Sequence, residues 1–449
     1  MARLFGTDGV RGIANVHPIT SEMAMAIGRA TAYICKRHLN RHRIVIGKDT
    51  RVSGYMLETA LTSGICSLGV DVLLVGPMPT PGIAFITHNM RADAGIVISA
   101  SHNLYQDNGI KIFSRDGFKI PDEVENEIEE LIVNEKIKHI RPTAAEIGKA
   151  FRIDDAIGRY IVFCKNTFPD NLTLAGLKIV LDCANGATYR VAPIILSELG
   201  ADVVTIHDEP DGMNINDHCG ALYPQDLMSK VVELGADVGL AFDGDGDRLI
   251  AVDEKGNDLT GDYIIAFCAK AMKAQGLLKN NLVITTAMSN FGFREAMMNE
   301  GIQIEEADVG DRYVLKMMLE KGSVLGGEDS GHIIFLNHHT TGDSIISALQ
   351  LLAILQESGK KLSELAGIMR LAPQVLINVT VKTKPPLEEL APLQNALRKA
   401  ETDLAGRGRV IVRYSGTQAL CRVMVECMDE ALMRRTAESL ARIVKQHLD

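Results

Sequence analysis

One pattern, met three times, limits what this chain can fold into. Residues 43–46 are a short apolar run ending in Gly47-Lys48-Asp49-Thr50-Arg51. Ser53 is placed to cap a helix over 54–68, Gly69 stops it, and 71–75 returns as a strand. That order predicts a βαβ unit and therefore parallel strands. It recurs as strand 177–182, turn Cys183-Ala184-Asn185-Gly186, helix 191–199, stop Gly200 and strand 202–206. A third copy runs through strand 281–286, Met288-Ser289-Asn290, helix 291–299, Gly301 and strand 302–305. The copies lie too far apart for solenoid units and read as repeated domains, by duplication or by convergence on one architecture.

Boundaries follow from composition. A charged amphipathic helix over 123–138 leads into Arg141-Pro142-Thr143. The stretch 257–262 separates the second copy from the third, and Leu371-Ala372-Pro373 and 382–386 flank a different C-terminal piece. That piece carries strands over 375–381, 409–413 and 422–426 and an amphipathic helix over 430–447, a small α+β domain. Four domains are expected, at 1–150, 151–256, 257–370 and 371–449, since 449 residues exceed one ordinary core.

A hydrophobic content of 46% with 23% charged residues is that of a soluble globular protein. The net charge of -10 argues against a nucleic-acid partner, which needs a basic surface. It leaves room for an anionic substrate, because a local arginine cluster overrides the global sign. None of the 8 Cys forms a CxxC pair, so they read as reduced core residues, neither a disulfide frame nor a zinc site. There is no apolar signal core at the N-terminus. The longest apolar run, 345–355, contains Ser347 and Gln350 and is too short to span a bilayer. A soluble, cytoplasmic protein without a membrane partner is expected; the oligomeric state, a homodimer included, is left open.

Four loops carry chemistry. In Gly95-Ile96-Val97-Ile98-Ser99-Ala100-Ser101-His102-Asn103 a buried strand breaks into polar residues at Ser101. A serine just past a strand's carboxyl end sits where open α/β sheets place ligands. His102, its neighbour on an extended chain, should point the other way and need not act as its base. In Asp243-Gly244-Asp245-Gly246-Asp247-Arg248 three carboxylates alternate with glycines and can turn to one point. Dense hard oxygen ligands suit Mg²⁺, and Arg248 with no Glu at the twelfth position excludes an EF-hand. Gly326-Gly327-Glu328-Asp329-Ser330-Gly331-His332 offers a carboxylate and a hydroxyl to adjacent sugar hydroxyls. In Arg413-Tyr414-Ser415-Gly416-Thr417 a guanidinium, two hydroxyls and backbone N–H groups can grip a phosphate that does not react. Arg422 either assists there or packs on the strand surface.

In that order and spacing the four loops resemble the α-D-phosphohexomutase family nearly end to end. Phe5-Gly6-Thr7-Asp8-Gly9-Val10-Arg11-Gly12 looks like its branch acting on glucosamine phosphates. The resemblance implies three similar α/β domains with mixed sheets and a smaller C-terminal α+β domain around a central cleft. It implies that Asp243, Asp245 and Asp247 hold one Mg²⁺, with an oxygen of phosphorylated Ser101 completing its shell. Phospho-Ser101 would give its phosphoryl group to a sugar monophosphate, and the resulting 1,6-bisphosphate, also the activator, would turn over and return its other phosphate. Lys111 is a candidate for the proton on the attacking hydroxyl, if burial beside a cation lowers its pKa. His332 is a second candidate for proton transfer, or else a structural histidine. Arg11 and Arg248 would hold charge at the phosphoryl site, and Glu328 and Ser330 would contact the sugar ring. The product would feed UDP-N-acetylglucosamine synthesis. Rival activities are the sister reactions on glucose or mannose phosphates, a phosphatase that hydrolyses its phosphoserine, and a non-catalytic sensor. Four positions depart from the family pattern: Leu104 replaces the usual proline, Asp329 stands where Gln or Asn is usual, and Gln418-Ala419 replaces Glu-Pro. Asp329 is expected to face solvent.

Overall fold

The computed structural model describes residues 3–6, 8–36, 42–404, 406–415 and 419–448. Three of the four sheets among these residues repeat one arrangement. In the first, Asp71–Pro77, Arg43–Lys48 and Ala94–Ile98 run parallel, and Asp107–Ser114 returns antiparallel beside Ala94–Ile98. Val10–Ile13 and Ala150–Arg152 add the outer strands. In the second, Asp202–Ile206, Lys178–Asp182 and Val238–Phe242 are parallel and Leu249–Asp253 is antiparallel, with Asp258–Leu259 at the edge. In the third, Gln303–Ala307, Leu282–Thr286 and Leu325–Gly327 are parallel and Ile333–Phe335 is antiparallel. The expected βαβ pairs are present, and each sheet gains an antiparallel fourth strand. The innermost strands are apolar runs buried on both faces, as parallel strands between helices must be.

This repeat fixes the site. The connection from the third parallel strand to the antiparallel one holds Ser101 in the first sheet. The equivalent connection holds Asp243 to Arg248 in the second and Glu328 to His332 in the third. Three chemically different loops therefore occupy one topological position.

The residues form two compact units, 1–288 with 302–367, and 289–301 with 368–449. In the second, Gln374–Thr380, Leu420–Cys427 and Gly408–Tyr414 form an antiparallel sheet. The helix Glu430–Leu448 contributes Met433, Ala437, Leu440, Val444 and Leu448 to its core, at the spacing that keeps one helix face apolar. The helix Phe291–Asn299 belongs to this unit. Asn290 caps it by accepting from Gly292 N at 2.9 Å, and the same amide exchanges hydrogen bonds with the Ala372 backbone at 2.8 and 3.1 Å.

Two local expectations change. Ser53 is the first residue of the helix Ser53–Cys66 and not its cap; its hydroxyl accepts instead from Asn108 Nδ2 at 2.8 Å. The charged helix ends at Val133, and Glu135, in a left-handed conformation at φ +50°, breaks the helical path before the buried Ile137. The apolar run 345–355 is the buried helix Ser344–Ser358, and no described helix is long and apolar enough to cross a membrane. All eight cysteines are free.

The three similar sheets are tied together near the start of that helix. Tyr160 donates to Asp343 at 2.7 Å, and Phe163 stacks on Phe85 with centroids 4.1 Å apart. His339 meets the edge of Phe163 at 5.3 Å. Its Nε2–H donates to Pro81 O at 3.0 Å while Nδ1 accepts from Thr340 N at 2.7 Å. Both nitrogens are committed to the neutral ring, and burial holds its pKa down to about 4. An unfolded histidine titrates near 6.5, so the folded state resists a proton that the unfolded state takes up. Stability from this site is full above pH 6.5 and is lost as pH falls toward 4, by about 2.5 kcal/mol at pH 4.5. His339→Gln, whose amide fills both hydrogen-bonding roles without titrating, is expected to remove that share of the acid sensitivity. Urea midpoints of the two proteins at pH 7 and pH 4.5 measure it.

Candidate active site

Ser101 leaves its strand in a left-handed turn, φ +52°, and is 1% exposed. A non-glycine residue holds this conformation only when its surroundings over-determine it. Here they do. Arg51, itself fully buried, donates to Ser101 O at 3.1 Å and to Asn103 O, and Asn216 Nδ2 donates to both carbonyls at 2.9 Å. Ser99 Oγ accepts from Ser101 N at 2.9 Å. The turn also brings His102 round to the serine's own side. Its Nδ1 lies 3.3 Å from Ser101 Oγ, correcting the expectation that it points away. Burial, with Arg248 and Arg11 nearby, pushes His102 down to about 4, so it is neutral.

Ser101 Oγ donates to Asp243 Oδ2 at 2.7 Å. Asp243, Asp245 and Asp247 each offer an oxygen within 4.8 Å of the others, and all three are buried. The glycines between them have separate tasks. A Cβ on Gly244 would come within 2.8 Å of Ser101 O, and Gly246 has φ +71°. The loop is braced by two helices. Thr80 donates through N and Oγ1 to Asp245 at 2.8 and 2.6 Å, and Ser344 Oγ donates to Gly246 O at 2.7 Å. Burial and then the charges of Asp247 and Asp245 drive the Asp243 pKa well up, so a cation between them would relieve a real conflict. Asp245 Oδ1 and Asp247 Oδ1 are buried with no hydrogen-bond partner. Three hard carboxylates with two orphaned oxygens fit a divalent cation such as Mg²⁺.

Cations surround the triad. Lys111 Nζ lies 2.9 Å from Asp245, 3.1 Å from Asp8 and 3.7 Å from Asp247. Burial lowers the Lys111 pKa, but the three carboxylates outweigh it and hold it above its ordinary value. The expected lowering is thus reversed by partners that the local sequence around Lys111 does not reveal. Burial likewise lowers the His332 pKa, and Asp247 and Asp311, at 3.6 and 3.7 Å, overcome that and raise it. Burial raises and Lys111, His332 and Arg248 lower the pKa of Asp247, which stays well below the usual carboxylate range. Arg11 pairs with Asp8, and Arg248 lies 3.9 Å from Asp247. Glu328 accepts from Gly310 N at 3.1 Å. Ser101, His102, Asp8, Arg11, Asp247, Arg248, Asp311, Glu328 and His332 all line one cavity of about 430 Å³. Ser330 is exposed and lies outside that lining; Asp329, expected in solvent, is half-buried.

The loop expected to grip phosphate belongs to the second unit. Arg413 and Arg422 are directly paired across adjacent antiparallel strands, so two like charges share one face. Arg422 Nε is buried without a hydrogen-bond partner. Ser415 is buried, and its carbonyl accepts from Lys384 Nζ at 2.7 Å. Gly416 and Thr417 lie outside the described residues.

The family models for phosphoglucomutase/phosphomannomutase match along the chain: alpha/beta/alpha domain I at 2–139, domain II at 159–256, domain III at 260–371 and the C-terminal domain at 376–443. The chain belongs to this family. It is 58% identical over 448 residues to a protein of Syntrophus aciditrophicus named phosphoglucosamine mutase, covering all of both chains. A protein of the same name from Syntrophotalea carbinolica is 59% identical over 447 residues, 99% of this chain and 98% of that one. Among solved structures, a phosphoglucomutase/phosphomannomutase family protein of Burkholderia thailandensis has a TM-score of 0.83 at 24% identity, covering 100% and 98% of the two chains. An Aspergillus fumigatus N-acetylphosphoglucosamine mutase, solved with GlcNAc-6P and magnesium, has a TM-score of 0.68 at 17% identity, covering 99% and 95%. These two bear on the fold, which is that of the phosphohexomutases.

The structure thus brings Ser101, Asp243, Asp245, Asp247, Arg11, Lys111, Arg248, Glu328 and His332 together. The sequence reading missed Arg51, Asn216, Asp8, Lys119 and Asp311. Asp8 and Arg51 lie inside the motifs at 5–12 and 47–51, whereas nothing local marks Asn216, Lys119 or Asp311. If the triad holds the cation, Mg²⁺ at about 100 times its Kd stabilises the protein by roughly 2.7 kcal/mol. Thermal unfolding with and without Mg²⁺ is expected to show that rise in wild type and none in Asp245→Ala.

Proposed function

We propose that the chain is a Mg²⁺-dependent phosphoglucosamine mutase, interconverting glucosamine 6-phosphate and glucosamine 1-phosphate. The observation that carries this is the 2.7 Å contact of Ser101 Oγ with Asp243 inside a carboxylate triad. It sets a phosphorylatable hydroxyl against a cation site. The substrate comes from the relatives at 58–59% identity over essentially the whole chain.

In this reading Ser101 carries a phosphoryl group. Its Oγ–P bond breaks as a P–O bond to a sugar hydroxyl forms, and the hydroxyl's proton passes to a neighbouring group. The product is glucosamine 1,6-bisphosphate. It turns over, and its other phosphate returns to Ser101, leaving the isomer. Asp243, Asp245 and Asp247, with the phosphoserine, would hold Mg²⁺, which when bound would neutralise charge on the transferring group. Arg11 and Arg248 hold charge beside the serine. Lys111, kept protonated by its carboxylates, suits charge stabilisation and proton donation better than the role of a free base. His332 is the second proton carrier. Glu328 and Ser330 take sugar hydroxyls. Arg413, Ser415, Gly416, Thr417 and Arg422 take the phosphate that is not reacting, which gives the paired arginines their counter-charge. A trace of sugar 1,6-bisphosphate loads Ser101 and starts the cycle. The product supplies UDP-N-acetylglucosamine synthesis, and a cytoplasmic location suits that supply and the free thiols.

The test is kcat/KM on the 6-phosphates of glucosamine, glucose and mannose, with Mg²⁺ and trace bisphosphate. A preference for the amino sugar of about tenfold or more, about 1.4 kcal/mol, is expected. A preference for glucose or mannose moves the chain to a sister activity; release of inorganic phosphate without isomerisation overturns the mutase. Ser101→Ala is expected to lower turnover by roughly 1,000-fold or more while sugar phosphate still binds.

A further inference from the structure

Six side chains close a ring of alternating charge around the cavity. Asp8 contacts Lys111 at 3.1 Å, Lys111 lies 3.7 Å from Asp247, and Asp247 lies 3.6 Å from His332. His332 lies 3.7 Å from Asp311, Asp311 pairs with Lys119, and Lys119 pairs with Asp8. Five of the six have an evident place: Asp8, Asp247, Asp311 and His332 line the cavity, and Lys111 sits on the triad. Lys119 does neither. It follows the strand Asp107–Ser114, is mostly buried, and has no part in the cavity lining. Its one ammonium nevertheless holds two cavity carboxylates. Asp8 sits just before Val10–Ile13, and Asp311 opens the helix Asp311–Lys321.

We propose that Lys119 and Asp311 are positioning residues for phosphoryl transfer. Lys119 draws Asp8 and Asp311 to one point. Asp8 in turn holds Arg11, and Asp311 stands against the face of His332 away from Asp247. Without the ammonium, two carboxylates face each other with no cation between them, and repulsion drives both segments apart. Arg11 and His332 then lose the geometry that the transferring group needs. A displacement of about 1 Å at such groups costs on the order of 100-fold in rate. Glu328 accepts from Gly310 N, the residue just before Asp311, so the sugar-side carboxylate rests on the segment that the Lys119 clasp holds. The inference rests on the mutase reading.

The test measures kcat and KM for glucosamine 6-phosphate in wild type, Lys119→Met, Lys119→Arg and the isosteric Asp311→Asn. Expected is a kcat on the order of 100-fold lower in Lys119→Met, with most of the loss recovered in Lys119→Arg. Asp311→Asn should lower kcat in the same direction and covers the case in which Lys119→Met does not fold. Wild-type kcat in either Lys119→Met or Asp311→Asn overturns the proposal, and so does a loss that appears in KM alone. Amide exchange reads the clasp without turnover. Peptides spanning 8–13 and 311–321 should both exchange faster in Lys119→Met, and unchanged exchange in both overturns it. An inactive wild type fails the mutase reading, while the exchange result still decides the clasp.

Discussion

A serine hydroxyl hydrogen-bonded to a buried carboxylate joins two loops from two sheets, and the surrounding structure is spent on keeping that contact. Ser101 sits in a left-handed turn that costs of order 1–3 kcal/mol. Arg51 and Asn216 hold the turn by gripping its carbonyls from two elements far apart in sequence. Gly244 has no side chain where one would collide with Ser101 O, and Gly246 supplies the reversal that returns Asp247 toward Asp243. The helices beginning at Thr80 and Ser344 brace the aspartate loop from behind. Repetition makes the contact possible. Because the three sheets share one strand order, their equivalent connections carry Ser101, Asp247 and Glu328 to one cavity.

Charge sets the second condition. Burying carboxylates without partners is costly, and Asp8, Asp243, Asp245, Asp247 and Asp311 lie close together around Lys111, Lys119, Arg11, Arg248 and His332. Alternation satisfies most of them. What remains is the conflict at Asp243 and the unpartnered oxygens of Asp245 and Asp247, which a divalent cation would relieve. In the C-terminal unit the sign is inverted: Arg413 and Arg422 face each other across a strand pair, and the proposed phosphate would supply their counter-charge.

Much of this was legible in the chain. The helix 291–299 and strand 202–206 stand where the periodicity puts them, because apolar spacing and a glycine stop act locally. The site loops were legible for the same reason: each packs its reactive groups into a few consecutive residues. The failures come from contacts between distant segments. Ser53 looked like a cap, but Asn108 takes its hydroxyl. His102 was placed by the alternation of an extended chain, and the positive φ of Ser101 undoes that alternation. Lys111 was expected to lose proton affinity, and carboxylates at positions 8, 245 and 247 raise it. Asp311 and Lys119 gave no local sign, since their partners Asp8, His332 and each other are distant in sequence.

The central claim is that Ser101 carries the phosphoryl group. It is tested most directly by incubating the protein with sugar 1,6-bisphosphate labelled in both phosphates and mapping the label by peptide mass analysis. The account predicts one phosphoryl group, on Ser101, lost to solution as bisphosphate when unlabelled glucosamine 6-phosphate is added. Label on another residue, or catalysis by a protein that never acquires label, would contradict it.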